Sequence, residues 1–441
     1  MRDPEIYREL GEQAWSWTLA QVRDDDGPWL PETVTDEPPA RPADDRDSLY
    51  AGIAGLAPVL AEIASYRPLT GTERVLADGI TERLARSAGE RTEPSLYDGL
   101  AGFVTGLRLL APGRERDATA RLAGLATPDG WPTTIELEPG VVGPPFTDVI
   151  MGTAGIVMTG AWVGGADGEA LMSTGGEALL RVAEPAGGGL DWRMHPGYRS
   201  SSPNFSHGTA GAAAALAVAG RLLCRDDFVE AARAGARYLF RVAETPDGGF
   251  VVPHTIPPST REVEPLTYTW CHGPTGTSLL FAALLRAGVT EIDGQDVADL
   301  RRRCLRTVLA AGVPQRLRPG FWDNDGRCCG TAGVGDALLD AAQDSHDGFE
   351  MLLRDAAVMG DALVDRAIRD GSGARWRFVE YRQEEPLLPP GTSWMQGSAG
   401  IAAFLLRLAR VCESGVDAPV VDRPDQWWAV PATVRTAAAY R

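Results

Sequence analysis

Residues 208–220 read GTAGAAAALAVAG, a run of thirteen small or apolar residues led by a G-x-x-G signature. No face of such a segment can be wet, so the spacing predicts a helix buried on all sides. The same signature, followed by a largely apolar run, begins at Gly52 (GIAGLAPVL), Gly99 (GLAGFVTGL), Gly152 (GTAGIVMTG), Gly273 (GPTGTSLLF), Gly330 (GTAGVGDAL) and Gly397 (GSAGIAAFL). The seven copies lie 47 to 67 residues apart, room for two helices and their loops per unit. Small residues in the first turn let seven helix ends crowd around one axis. Gly55, Gly102 and Gly155 are therefore expected to serve packing.

Between the copies lie segments with apolar or small residues at three- and four-residue spacing and charges between them. They are Asp3–Val22, Thr70–Gly89, Glu115–Ala126, Glu169–Ala183, Asp226–Ala243, Gln295–Ala311 and Asp347–Arg369. In the fifth, Phe228, Ala231, Ala232, Gly235, Tyr238 and Leu239 make one apolar face. These are predicted outer helices. Seven inner and seven outer helices in alternation predict an all-α fold, an α/α double toroid; an open solenoid is the alternative, though polar capping repeats are not evident. Proline- and glycine-rich stretches (128–146, 187–205, 246–270 and 314–327) and β-like runs at Gly249–Val252 and Trp376–Tyr381 predict long loops and short β hairpins over one rim. Asp24–Arg46, with Pro28, Pro31, Pro38, Pro39 and Pro42, is a loop ahead of the first repeat. The chain is expected to be a single domain, 1–441, with a C-terminal tail from about 414 that carries Trp427 and Trp428 and docks on the ring.

Composition narrows the function. Apolar residues make up 44% and charged residues 23% of the 441, ordinary for a globular chain. The formal net charge of −18 and pI of about 4.8 argue against a nucleic-acid or anionic-lipid partner. No apolar run is long enough for a membrane span, and the charged N-terminus has no signal core, so a cytoplasmic location is expected; a closed toroid leaves no free helix face, so a monomer is expected.

The residues just before each leading glycine carry the chemistry. The pairs are Tyr50-Ala51, Tyr97-Asp98, Ile150-Met151, Ser206-His207, Cys271-His272, Cys328-Cys329 and Met395-Gln396. All should converge at one end of the ring. Repeats five and six then bring Cys271, Cys328 and Cys329 together at helix N-termini, where the dipole favours thiolates. Three sulfurs suit Zn²⁺ with one position open, the arrangement of a catalytic site. His272 is either a further ligand or a catalytic residue. His207 is a candidate general acid/base, with the alternative of a helix-end histidine bonded to a loop carbonyl. Asp148, in an apolar run, needs either a partner or a role as an N-cap. Cys224, Cys304 and Cys412 are expected to be plain buried thiols. His195, His254 and His346 are expected to be solvated. The 322–326 run (WDNDG) is expected to form a turn ahead of Cys328, with calcium binding as the compositional alternative.

At these positions the sequence resembles the lanthionine synthetase C-like family. Trp270-Cys271-His272-Gly273 is similar to its W-C-x-G motif and Cys328-Cys329-Gly330 to its C-[HC]-G motif. Ser206–Gly211 is similar to S-H-G-x-x-G, and Asp148–Gly152 to D-x-x-x-G. The resemblance runs through all seven repeats. It implies an α/α toroid, zinc on Cys271, Cys328 and Cys329, and active-site roles for Asp148 and His207. The third ligand is often His in the family and is Cys here, so three thiolates and Zn²⁺ sum to −1. The residue after Cys271 is often Tyr and is His272 here. No basic residue lies within 264–269; Arg261 is further back.

The activity implied is addition of a cysteine thiolate to dehydroalanine or dehydrobutyrine, forming lanthionine-type thioether rings in a dehydrated precursor peptide. With the chain consumed by the toroid, a separate dehydratase is implied. Alternatives are a family member that joins a small cellular thiol to a dehydroamino-acid-containing protein, and a non-catalytic zinc-containing scaffold. An α/α-toroid glycosidase would need paired rim acids that this cysteine constellation does not offer.

Overall fold

The structure is a computed structural model and describes residues 1–35, 45–138, 141–259, 264–315, 324–345, 348–380 and 384–435. Among the described residues, fourteen α-helices alternate between outer and inner positions, as expected. The outer helices are α1 (Pro4–Gln21), α3 (Gly71–Ser87), α5 (Arg116–Gly124), α7 (Gly165–Val182), α9 (Asp226–Val242), α11 (Val297–Ala310) and α13 (Phe349–Arg366). The inner helices are α2 (Leu56–Ala64), α4 (Leu100–Leu110), α6 (Thr153–Val163), α8 (Thr209–Leu223), α10 (Pro274–Arg286), α12 (Thr331–Asp344) and α14 (Ser398–Ser414).

The inner helices begin without side-chain caps. Their orphan first-turn N–H groups are met by carbonyls of the loop that precedes them. Thr153 and Ala154 donate to Phe146 and Thr147, Thr331 and Ala332 to Asn324 and Asp325, and Ser398 to Gly391. The loop must fold back against the helix end to do this, which is why the second glycine of the signature recurs. A Cβ at Gly55 or Gly102 would lie 2.7 or 2.6 Å from the carbonyl oxygen of Leu49 or Leu96. The packing role expected of Gly55, Gly102 and Gly155 holds on the same ground. Three outer helices, α1, α3 and α11, carry side-chain caps instead. Thr70 and Glu73 form a capping box at α3, and Asp3 caps α1 ahead of Pro4.

The ring is closed. Each inner helix packs on the next, and α14 packs on α2. α1, the first helix of the chain, packs on α14, so the two ends of the ring are joined. Main-chain hydrogen bonds close a second, tighter circle at the N-terminal ends of the inner helices. Tyr50 N–H donates to Tyr97, Tyr97 to Ile150, Val149 to Ser206, Ser206 to Cys271, Cys271 to Cys328, Cys328 to Met395, and Met395 back to Tyr50, at 2.8–3.3 Å. Six of these seven links start at the residue two before a leading glycine. The residues one before it (Ala51, Asp98, Met151, His207, His272, Cys329 and Gln396) are therefore carried around one circle.

Short antiparallel hairpins decorate the loops, for example Glu184–Ala186 with Gly189–Asp191 and Arg377–Val379 with Leu387–Pro390. The expected strand at Gly249–Val252 is only an isolated bridge from Val251 to Glu244. The C-terminal segment docks as expected, with Trp428 buried and its indole N–H on the Leu279 carbonyl. Pro38, Pro39, Pro42, Trp322, Asp323, His346, Asp347 and Tyr381 lie outside the described residues.

Candidate metal centre and its surroundings

Cys271, Cys328 and Cys329 are buried and reduced, and their sulfurs form one cluster. The Cys271 and Cys329 sulfurs are 3.3 Å apart, those of Cys329 and Cys328 are 3.4 Å apart, and all three lie within 4.8 Å of one another. Burial pushes the Cys271 and Cys329 thiols well up. Hydrogen bonds from Cys271 and Cys329 hold Cys328 well below the usual thiol range. Cys328 is thus the most acidic of the three thiols, because its two neighbours donate to it. Four-coordinate zinc at about 2.3 Å from each sulfur would set the sulfurs about 3.8 Å apart, so this donor set fits zinc with little rearrangement. Among the described residues these are the only three metal-donor side chains so grouped, and no His272 nitrogen is among the converging atoms.

Beside the sulfurs stands an Asp–His pair. His207 Nδ1 is 2.7 Å from Asp148 Oδ2, and Asp148 Oδ1 accepts the Met151 N–H at 2.7 Å. Asp148 is fully buried and has the partner its apolar run requires; it does not cap α6, whose N-cap is Gly152 without a side-chain bond, because its Oδ1 serves the loop one residue earlier. Burial alone would lower the His207 imidazole. The charge and hydrogen bond of Asp148 outweigh it, and the net basicity lies above the ordinary histidine value. His272 stacks obliquely between two other histidines, with ring centroids 5.6 Å from His207 and 4.0 Å from His254. Burial, followed by the charges of His254 and His207, drives His272 well below the usual value and keeps it neutral.

A cavity of about 600 Å³ opens onto His207, His254 and His272, with Tyr198, Ser202 and Pro257 in its walls. A second, of about 460 Å³, lies on the other side, against Met151, Arg91 and Asp98. Burial and the neighbouring Glu93 push the Asp98 carboxyl up to about 6.

A sequence profile of the family described as "lanthionine synthetase C-like protein" matches residues 43–417. The chain belongs to that family. Among solved structures, nisin cyclase superposes with a TM-score of 0.57 at 16% identity, over 83% of this chain and 89% of that one. A sugar epimerase from a ruminal bacterium gives 0.45 at 13% identity, over 92% and 98%. An unsaturated glucuronyl hydrolase from Streptococcus agalactiae gives 0.44 at 8%, over 93% and 92%. A search of curated proteins finds no match. The nisin cyclase likeness fits the helical toroid of this lanthionine synthetase C-like chain.

Several sequence expectations for this family member are corrected. His254 is buried and lies against His272, because the 246–259 segment folds inward and its Pro253 and His254 carbonyls accept the Asn204 amide. His195 is also buried, stacked on Phe146. Cys224 is exposed, in a left-handed conformation that ends α8, and Cys412 is half-buried. Only Cys304 is the plain buried thiol expected. Asp325 is buried and ion-paired with Arg366. The chain bends over 325–329 ahead of α12, while Trp322 and Asp323 of the same run lie outside the described residues. Arg261 lies outside the described residues. Tyr50 and Asp98 had not been singled out. Their only signal is their place before a leading glycine, where other repeats carry cysteine and histidine.

Proposed function

We propose that this chain is a zinc-dependent peptide cyclase that adds a cysteine thiolate to a dehydroalanine or dehydrobutyrine. The observation that carries the reading is the placing of three buried, reduced sulfurs and of His207, half-buried and paired with buried Asp148, at the same end of the ring. Zinc on Cys271, Cys328 and Cys329 would supply a Lewis acid that makes a substrate thiol acidic near neutral pH.

His207 donates its Nδ1 proton to Asp148, which leaves Nε2 as the atom that takes the thiol proton. The sulfur–carbon bond forms at the β-carbon as the double-bond electrons move to the α-carbon and its carbonyl. His207 Nε2 returns a proton to the α-carbon. The addition balances with no leaving group. Asp148 stays ionised and holds the imidazole in one tautomer. His272, neutral and stacked, excludes water from one side of His207.

The histidine-lined cavity supports a peptide over an anionic small thiol. Among the described residues no Lys or Arg lines it, so a carboxylate-rich ligand would find no counter-charge there. A dehydrated peptide implies a separate dehydratase as supplier. We read 1–441 as one domain acting as a monomer in the cytoplasm. None of the described helices is long and apolar enough to cross a membrane.

The test is zinc content per chain in the parent and in Cys271→Ala and Cys328→Ala, followed by assay on a dehydrated peptide. One zinc in the parent, lost in both variants along with ring formation, is expected. Reduced parent protein that takes up no zinc sinks the thiol-activation reading and favours a scaffold.

A further inference from the structure

The two cavities beside the circle of residues that precede the leading glycines differ in their walls. The one against Met151 carries Asp45, Glu90, Arg91, Glu93 and Asp98. The one against His207 and His272 carries, among the described residues, no Asp, Glu, Lys or Arg. Charge is present at this end of the ring but is kept out of that cleft. One wall is the 194–202 loop, which brings Met194 and Tyr198, and the other is the 254–259 segment, which brings Pro257 and Pro258. Hydrogen bonds tie both walls down. Ser201 and Ile256 exchange main-chain bonds at 2.9 and 2.8 Å, which joins wall to wall. The Ser201 hydroxyl donates to buried Asp191 at 3.0 Å. Thr147 N–H donates to the Met194 carbonyl at 2.9 Å, and Arg193 Nη1 to the Tyr198 carbonyl at 2.7 Å. The Tyr198 ring meets His195 edge-on, with centroids 5.1 Å apart, and His195 is stacked on Phe146. The rest of the ring is open. Tyr198 is 38% exposed, and among the described residues it is the only aromatic side chain so exposed.

We propose that the cleft between Tyr198, Met194 and Pro257 is a subsite for an apolar or aromatic side chain of the peptide, at a residue next to the dehydroamino acid, and that Tyr198 selects it. The inference rests on the reading of the chain as a peptide cyclase with His207 at the reacting carbon. A peptide whose reacting residue lies at His207 carries its next residue only about 3.8 Å further along, and His207 and Tyr198 line the same cavity. A charged side chain placed there would give up water and find no counter-charge among the described residues. An apolar one gives up nothing, and an aromatic one gains a ring to pack against edge-on or offset. Because the walls are already tied together, little of that gain is spent on ordering the cleft, so the preference is read directly as affinity.

The experiment measures binding of short fluorescein-labelled peptides to the full-length protein by fluorescence anisotropy. Each peptide holds one cysteine and an alanine in place of the dehydroamino acid, so that no ring can form, with Phe, Ser or Glu beside that alanine. The parent is expected to bind the Phe peptide about tenfold more tightly than the Glu peptide. Tyr198→Ala loses that advantage and leaves the Ser and Glu peptides at their parent affinities, whereas Tyr198→Phe keeps the ring and the preference. Leu222→Ala removes another exposed apolar side chain, at the far end of α8, and changes none of the three. Equal binding of all three peptides by the parent, binding of none, or a loss in Tyr198→Ala shared equally by all three would overturn the proposal. Cyclisation of the matching dehydrated peptides by the zinc-loaded protein separates the proposal from the reading on which it rests. Rings formed with the same KM whatever the neighbouring residue overturn the subsite and leave the cyclase standing. A neighbour preference in binding with no ring on any dehydrated peptide supports the cleft and overturns the cyclase.

Discussion

Two clusters of buried polar side chains meet at neighbouring residues of this ring, and they have opposite electrostatics. Arg327 belongs to one and Cys328 to the other. In the first cluster the Asp336 carboxylate accepts from Arg327, Arg407 and Arg423 at 2.7–2.8 Å, and Arg407 also pairs with Asp340 at 2.7 Å. Burial would raise Asp336, but three guanidiniums outweigh it and hold the carboxyl far below its usual range. Arg410 pairs with Glu62 at 2.5 Å nearby. Every charge there has its counter-charge, so the cluster is complete in itself and ties α12, α14 and the C-terminal segment together. The sulfurs' recorded partners are one another and the Thr269 hydroxyl, and the His207 imidazole is already paired with Asp148. Buried polar groups that satisfy one another build the fold. Buried donors that converge without a cation mark a place for one.

This contrast predicts that each cluster can be broken without the other. His207→Ala should lower kcat by roughly 10²–10⁴-fold while zinc content and melting temperature stay at the parent's values. Full-rate turnover by that variant would remove His207 from the proton-transfer role. Asp336→Ala should do the reverse. It strands three guanidiniums and is expected to cost about 3–5 kcal/mol in denaturant unfolding, whereas Cys328→Ala in metal-free protein stays within about 1 kcal/mol of the parent. Equal losses from both would erase the distinction between the clusters.

The smallest effect concerns Asp98, which belongs to neither cluster but shares the circle with His207. Its carboxyl ionises at about 6 in the fold against an ordinary 3.8. The folded state therefore resists the charged form, and the stability this group contributes below the ordinary value is lost as pH rises through about 6. Asp98→Asn should be more stable than the parent by about 2 kcal/mol above that pH, with allowance for solvent reaching the half-buried carboxyl. The difference should vanish in acid below the ordinary value. Thermal melts across that interval check it, and a gain that persists in acid would assign the effect to packing instead of charge.

Much of this was legible along the chain because it depends on local pattern. A G-x-x-G followed by small and apolar residues can be read without knowing what lies across the ring, and repetition converts seven such readings into a circle. The same alignment brings Cys271, Cys328 and Cys329 together, since equivalent positions in a closed ring must converge. Asp148 and His207 were visible through their motifs, though not their 2.7 Å contact. What was illegible depended on loops and on residues far apart. His254 reads as solvated in a proline-rich stretch, and only the inward fold of that loop buries it. Cys224 reads as part of a buried helix, but it falls one residue past the last turn and faces solvent.

The sequence by itself determined the alternation of buried and half-buried helices, the ring they imply and the three sulfurs at one end of it, because helical periodicity and repeat spacing are properties of neighbouring residues. Only the tertiary structure decided how the ring closes, with α1 on α14. It also decided that Asp336 gathers arginines from α14 and the C-terminal segment, and that Tyr50 meets Gln396 while Tyr97 meets Asp425. Those choices turn on which side chain reaches which partner across hundreds of residues, and no local preference encodes a distance of that kind.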